Sequence, residues 1–240
     1  MDKKEAIQKR LKELELAYQP GETALDAIAG VTLINIIGPS GVGKSSVNSM
    51  ITKLDPQFSV PLGFTTRPAR PSEELKKYRH IPDTAEGWQS ILDKAQAGAL
   101  VQYAIHTTSG MAYGTEPMDY ETLFSVLDMQ YQLVEKTHGL GFLAVKNVAI
   151  VTTPADYAQQ LAKQERLINS AADMEKRRHE GILCLKWCLE HRDDINWIHN
   201  RYGELERTAL EVIGLAKGNL KPNEENRRLG EKLLKTLERS

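Results

Sequence analysis

Cysteine is scarce in this chain, with two among 240 residues, so no disulfide framework can hold the fold, and a reducing, cytoplasmic setting is expected. Excess charge is also missing. The 31 Lys and Arg nearly cancel the 32 Asp and Glu, leaving a net charge of -1. That balance gives no global basic field to attract nucleic acid, so any affinity for phosphate must be local. No apolar run approaches the ~18 residues of a membrane span. The opening Met1-Asp2-Lys3-Lys4-Glu5 is charged where an export signal would be apolar. Neither nucleic acid nor membrane is therefore expected as a partner. Aromatics are few, at 6%, yet a hydrophobic share of 41% is that of an ordinary globular protein.

The informative segment is Val31-Thr32-Leu33-Ile34-Asn35-Ile36-Ile37-Gly38-Pro39-Ser40-Gly41-Val42-Gly43-Lys44-Ser45-Ser46. An apolar strand runs into the phosphate-loop pattern G-x-x-x-x-G-K-[ST], and a helix-compatible stretch follows. Gly38, Gly41 and Gly43 let the backbone curl so that the N–H groups from Ser40 to Ser46, Val42 among them, converge on one anion at a helix N-terminus. Lys44 is placed to reach the outer phosphates of a nucleoside triphosphate, and the Ser45 hydroxyl to take a magnesium coordination position.

Strand-like runs alternate with helical segments after this point, which implies an α/β layered fold with a mainly parallel sheet. The clearest strands are Val31–Ile37 and Asn147–Thr153, with another expected at Asn196–Asn200. Asp156–Arg192 reads as almost unbroken charged helix, and 204–216 as a final one. Ile7, Leu11, Leu14 and Tyr18 keep helical spacing before Pro20-Gly21, which predicts an amphipathic arm that packs on the domain or meets a second copy of the chain. The organisation expected is an arm at 1–29, a main domain at 30–216 and a helical tail at 217–240.

A second signal is Phe64-Thr65-Thr66-Arg67-Pro68-Ala69-Arg70-Pro71. Two planar guanidinium forks held by prolines suit a phosphate monoester. With this segment the chain resembles the guanylate kinase family, whose acceptor-binding stretch reads T-T-R-x-x-R-x-G-E. The resemblance runs in order over about residues 31–213. Gly98-Ala99-Leu100-Val101-Gln102-Tyr103-Ala104 is similar to the family's G-E-F-L-E-W-A, and Ala112-Tyr113-Gly114-Thr115 to its Y-Y-G-[ST] turn.

The resemblance implies a P-loop NTPase three-layer sandwich, with an acceptor-binding part at about 61–116 and a helical lid at about 162–180. It implies ATP- and Mg2+-dependent phosphoryl transfer to a nucleoside monophosphate, GMP + ATP to GDP + ADP. Arg67, Arg70, Tyr78, Tyr113 and Thr115 would bind the acceptor. Asn200 would lie near the adenine, and lid arginines eleven apart would be Arg166 and Arg177. Lys44 and these two arginines would supply the charge that phosphoryl transfer needs.

Two departures concern the acceptor base. Where the family has a glutamate reading two adjacent N–H donors of guanine, this chain has Gln102, whose amide offers one acceptor and one donor. Where the family has a serine on the guanine oxygen, it has Gly63. A different phosphorylated acceptor is thus an alternative, and a non-catalytic binding module of the same fold is another. The family's third base contact matches Asp128 in Ser125-Val126-Leu127-Asp128-Met129-Gln130. That reading needs a strand, whereas Tyr120, Leu123, Phe124, Leu127, Tyr131 and Val134 also keep helical spacing. Cys184, Cys188 and His191 share a helix face at metal-binding spacing, but no fourth ligand is evident and packing is the expected role.

Overall fold

The computed structural model of the chain describes residues 2–69, 78–106, 109–164, 171–220 and 224–239. Helices α1 (Lys3–Glu15) and α2 (Glu22–Ile28) precede strand β1 (Thr32–Ile37) and helix α3 (Lys44–Leu54). The short strands β2 (Phe58–Ser59), β3 (Phe64–Thr65) and β4 (Arg79–His80) lead to α4 (Ala85–Gln96), β5 (Gln102–Ile105) and β6 (Ala112–Thr115). A 3-10 turn at Pro117–Asp119 is followed by β7 (Phe124–Asp128), α5 (Tyr131–His138), β8 (Ala144–Val151), α6 (Pro154–Gln164) and α7 (Ala171–Glu190). Strand β9 (Ile195–His199) and helices α8 (Leu205–Ala216) and α9 (Glu224–Arg239) complete the order.

The chain divides into two units. One comprises Met1–Val31, Pro61–Leu123 and Lys136–Leu143, the other Thr32–Val60, Phe124–Glu135 and Ala144–Ser240. In the larger unit five strands run parallel in the order β2-β7-β1-β8-β9. All six residues of β1 are buried, the mark of a parallel strand covered on both faces. The helix pairs α3–α8 and α7–α9 supply that cover, giving the expected three layers.

The strand reading of Phe124–Asp128 holds. The adjacent Ser125 and Val126, on opposite faces, are both buried, and β7 fills the gap between β2 and β1. The competing helical spacing is also real, but only from Tyr131, where α5 begins. Asn35 and Asn147 lie opposite each other in the β1–β8 register, and Asn35 Nδ2 donates to Asn147 Oδ1 at 2.9 Å. This buried amide pair fixes which residues of the two strands face each other.

In the smaller unit four strands run in the order β4-β3-β6-β5, with β3–β4 parallel and the other pairs antiparallel. Phe64, Tyr103 and Ala112 point to one face and pack with Trp88, Ile91 and Leu92 of α4 and with Ile7 and Leu11 of α1. Tyr103 Oη donates to Leu11 O at 2.9 Å, and Glu15 accepts from Ile105 N at 3.1 Å.

Of the two roles expected for the arm, these contacts match packing on the domain. The arm's apolar face is core of the smaller unit, so the surface offered to a second copy of the chain is already covered by α4 and β5. The tail is likewise built in. Leu233 and Leu237 of α9 are buried, and a Cβ at Gly230 would meet the Trp197 ring at 2.6 Å. No helix among the described residues is long and apolar enough to cross a membrane.

Candidate active site

The loop between β1 and α3 is shaped by glycines that nothing else could replace. Gly43 has φ +90°, and a Cβ there would lie 2.6 Å from Asn200 Nδ2. Gly38 has φ +149°, and its Cβ would meet Ile150 O at 2.5 Å. Helix α3 starts at Lys44 with Gly43 as its N-cap and no side-chain cap, so its first-turn amides are presented by backbone geometry alone. The Lys44 ammonium donates to Gly38 O at 2.7 Å and Pro39 O at 3.2 Å, and lies 3.7 Å from Asp128 Oδ1. Asp128 therefore sits at the carboxyl end of β7 beside the loop, as the strand reading requires.

Three further residues grip the loop. Asn200 is buried; its Nδ2 donates to Val42 O at 2.7 Å and its Oδ1 accepts from Thr208 Oγ1 at 3.1 Å. Both ends of this amide thus brace the protein. Tyr157 Oη donates to Ser40 O at 2.8 Å, and burial pushes its pKa up to about 12. Arg177 Nη1 donates to Ser40 Oγ at 3.2 Å, so α7 brings one of the two expected lid arginines onto the loop. Arg166, the other, lies outside the described residues. Tyr157 was not foreseen, since its position three residues after Pro154 carries no motif.

Ser45 and Asp128 are oxygen donors of the hard kind that magnesium takes. One thiol lies close to the loop: Cys184 is near Lys44 and Asp128. Cys184 and Cys188 are buried and hydrogen-bonded to each other. His191 stacks on Trp187 with ring centres 4.2 Å apart, donates Nδ1–H to Trp187 O at 2.8 Å and approaches Glu135 at 3.1 Å. Cys184 and Cys188 thus lie in the core, and no cluster of metal-binding type occurs among the described residues.

The smaller unit presents its own polar surface. Residues directly opposite across strands share a face, so the pairs Gln102–Thr115, Ala104–Tyr113, Thr65–Tyr113 and Thr65–His80 put these side chains on the side away from α1 and α4. Arg67 lies over the Tyr78 ring at 5.9 Å, and the Tyr78 and Tyr113 rings are 5.9 Å apart. Arg67, Tyr78 and Tyr113 are thus brought together, while Arg70 lies outside the described residues.

Two histidines join this face unforeseen: His80 Nδ1 bonds Arg67 O at 2.9 Å, and the His106 ring lies 6.0 Å from Tyr113. Thr115 is buried, and its hydroxyl bonds Tyr120 Oη at 2.9 Å. Gly63 has a steric reason as well. A Cβ there would lie 2.6 Å from Gly114 O, so a serine could not enter without moving a strand.

A glycine loop on a helix N-terminus, a lysine inside it and an all-parallel sheet behind it define a P-loop protein of the α/β class. No protein-family model matches the chain. A guanylate kinase of Frankia casuarinae is 36% identical over 86 residues, 36% of this chain and 42% of that protein. A guanylate kinase of Thermotoga maritima is 29% identical over 178 residues, 69% of this chain and 77% of that protein. Among solved structures, a guanylate kinase from Anaplasma phagocytophilum gives a TM-score of 0.48 at 16% identity, covering 80% of this chain and 86% of that one. The chain is thus similar in sequence to guanylate kinases over part of its length, and it spans less than half the length of the relative from Frankia casuarinae.

Proposed function

We propose that the protein is a nucleoside monophosphate kinase that moves the γ-phosphoryl group of ATP onto the phosphate of an acceptor nucleotide, GMP + ATP to GDP + ADP. The observation that carries this reading is the convergence of Lys44, Asp128 and Arg177 on the Gly38–Ser46 loop. The sequence similarity to guanylate kinases supports the acceptor.

In this reading the loop amides and Lys44 bind the β- and γ-phosphates, exchanging the Gly38 and Pro39 carbonyls for phosphate oxygens. Ser45 and Asp128 would hold magnesium, which supplies charge neutralisation at the bridging oxygens. Arg177 and Arg166 carry positive charge to the equatorial oxygens as charge builds there. Arg67, with Arg70, grips the acceptor phosphate, and the Tyr78 and Tyr113 hydroxyls donate to its oxygens. That phosphate is already ionised at neutral pH, so its oxygen attacks without a general base. A nucleotide acceptor and ATP·Mg2+ are the partners this chemistry requires, in the cytoplasm where both are plentiful.

Gln102 and Gly63 favour one second reading, a different phosphorylated acceptor at the same site. Steady-state assays with ATP·Mg2+ across GMP, dGMP, IMP, AMP, CMP, UMP and ribose phosphates decide between them. Turnover of GMP or a related nucleotide, abolished by Lys44→Ala, is the expected result. Turnover confined to a sugar phosphate would replace the acceptor, and no turnover with any acceptor would sink the kinase reading.

A further inference from the structure

Helix α9 lies beyond the stretch that resembles the guanylate kinases, yet it packs on α7, the helix that carries Arg177. The polar contact is made by the next residue, Arg178. Its Nε and Nη2 donate to the two carboxylate oxygens of Glu175, one turn back on α7, at 2.8 and 2.6 Å. That paired grip fixes the plane of the guanidinium. The remaining nitrogen, Nη1, donates at 2.6 Å to Leu237 O in the last turn of α9. A carbonyl in the last turn of a helix is one that an arginine commonly satisfies, and the negative end of the helix dipole favours its charge.

The two helices also meet at Gly181. A Cβ there would lie 3.2 Å from Pro39 Cβ in the phosphate loop and 3.5 Å from Leu237 Cδ1. Glycine is a poor helix former, so its place inside α7 marks the close approach of both neighbours. Loop, α7 and α9 therefore meet at one point. One helical turn before it, Arg177 Nη1 reaches Ser40 Oγ at 3.2 Å.

We infer that α9 belongs to the transfer machinery: through Arg178, a positioning residue, its last turn sets α7 against the phosphate loop and so holds Arg177 over the transferring group. The inference rests on the kinase reading above, in which Arg177 is a catalytic residue. A charge that stabilises phosphoryl transfer acts only when it is held in place, and a small displacement forfeits much of its effect. A fixed point one residue beyond Arg177 limits both the rotation and the slide of the helix that carries it.

The test is a double-mutant cycle on kcat, with ATP·Mg2+ and the best acceptor of the panel. Arg178→Ala should lower kcat about tenfold and leave both KM values within about twofold, the split expected when only transition-state contacts are lost. Arg178→Lys should recover part of that loss, because an ammonium can still donate to the Leu237 carbonyl. In the Arg177→Ala chain, adding Arg178→Ala should cost less than about twofold more, since the group it positions is gone. An unchanged kcat in Arg178→Ala, or an equal loss in the two backgrounds, overturns the inference.

If the native chain phosphorylates no acceptor, the kinase reading fails and the hold on α7 is read without turnover. The two cysteines of the chain, Cys184 and Cys188, both lie buried on α7, so labelling by the thiol reagent DTNB reports when that helix opens. Arg178→Ala should speed labelling about tenfold at low urea, at a rate that does not follow global unfolding. Labelling as slow as in the native chain, or faster only in step with lost global stability, overturns the inference on that ground.

Discussion

In the proposed reading the larger unit binds through its backbone, the smaller one through its side chains. In the larger, the phosphate loop is held in shape by glycines, by Asn200 under Val42 and by Tyr157 on Ser40, and most groups turned toward an anion are main-chain amides. In the smaller, the polar face of a four-stranded sheet carries Arg67, Tyr78, Tyr113 and Gln102, each replaceable without changing the strand that bears it. A backbone site tolerates little substitution and keeps one specificity, triphosphate. A side-chain site can change its ligand residue by residue. In that reading Gln102 and Gly63 can depart from the family pattern while the loop stays whole.

The comparison breaks most visibly at Lys44, a side chain inside the backbone site. Lys44→Ala should lower kcat/KM by roughly a hundred- to a thousandfold, as loss of a single charge-stabilising donor does. Circular dichroism should stay unchanged, because Lys44 contacts only loop carbonyls and Asp128. A loss below tenfold would mean that the loop amides suffice. Next comes Asn200→Ala, which takes the amide donor from the buried Val42 O and leaves the Thr208 hydroxyl only its backbone acceptors. Urea unfolding should register about 1–3 kcal/mol of lost stability, and the KM for ATP should rise with no matching change for the acceptor. Equal effects on both substrates would contradict the division of labour between the units.

Gly63→Ser is sharper in what it denies. The serine would restore the residue type of the family, yet its Cβ would lie 2.6 Å from Gly114 O. The expected result is about 1–3 kcal/mol of destabilisation from overpacking, with no gain in GMP turnover. Improved GMP turnover in a stable protein would show that the strands can separate and that Gly63 reflects a lost contact, not a packing need.

Legibility followed the same division. The segment from Val31 to Ser46 was readable because strand, loop and helix are consecutive, and every requirement on them is local. Asp128 was half readable: its strand and the helix beginning at Tyr131 overlap in pattern, and only pairing with β1 separates them. What the arm and tail pack on was not readable, because the partners of Leu11 and Leu233 lie far away in sequence. Tyr120 was hidden for a related reason. Its apolar ring counted toward a helical stripe, while its hydroxyl bonds Thr115 across a turn.

The smallest expected effect tests whether the loop's own supports are as rigid as its glycines. Tyr157→Phe removes the bond to Ser40 O and should cost about 0.5–1.5 kcal/mol, with a modest rise in the KM for ATP. The hydroxyl also leaves a signature in pH. In the folded chain burial raises the Tyr157 pKa to about 12 from an ordinary value of 10.0, so above pH 10 the unfolded chain ionises while the folded one keeps its proton. Stability from this group is complete below pH 10 and declines as pH rises toward 12. Chemical unfolding at pH 9 and pH 11 should therefore show a smaller loss in Tyr157→Phe than in the native chain. Tyr103 and Tyr120, also raised by burial, contribute equally to both proteins and cancel from the comparison. Identical losses would place the Tyr157 hydroxyl in contact with solvent, and the loop would then be held at Ser40 by Arg177 alone.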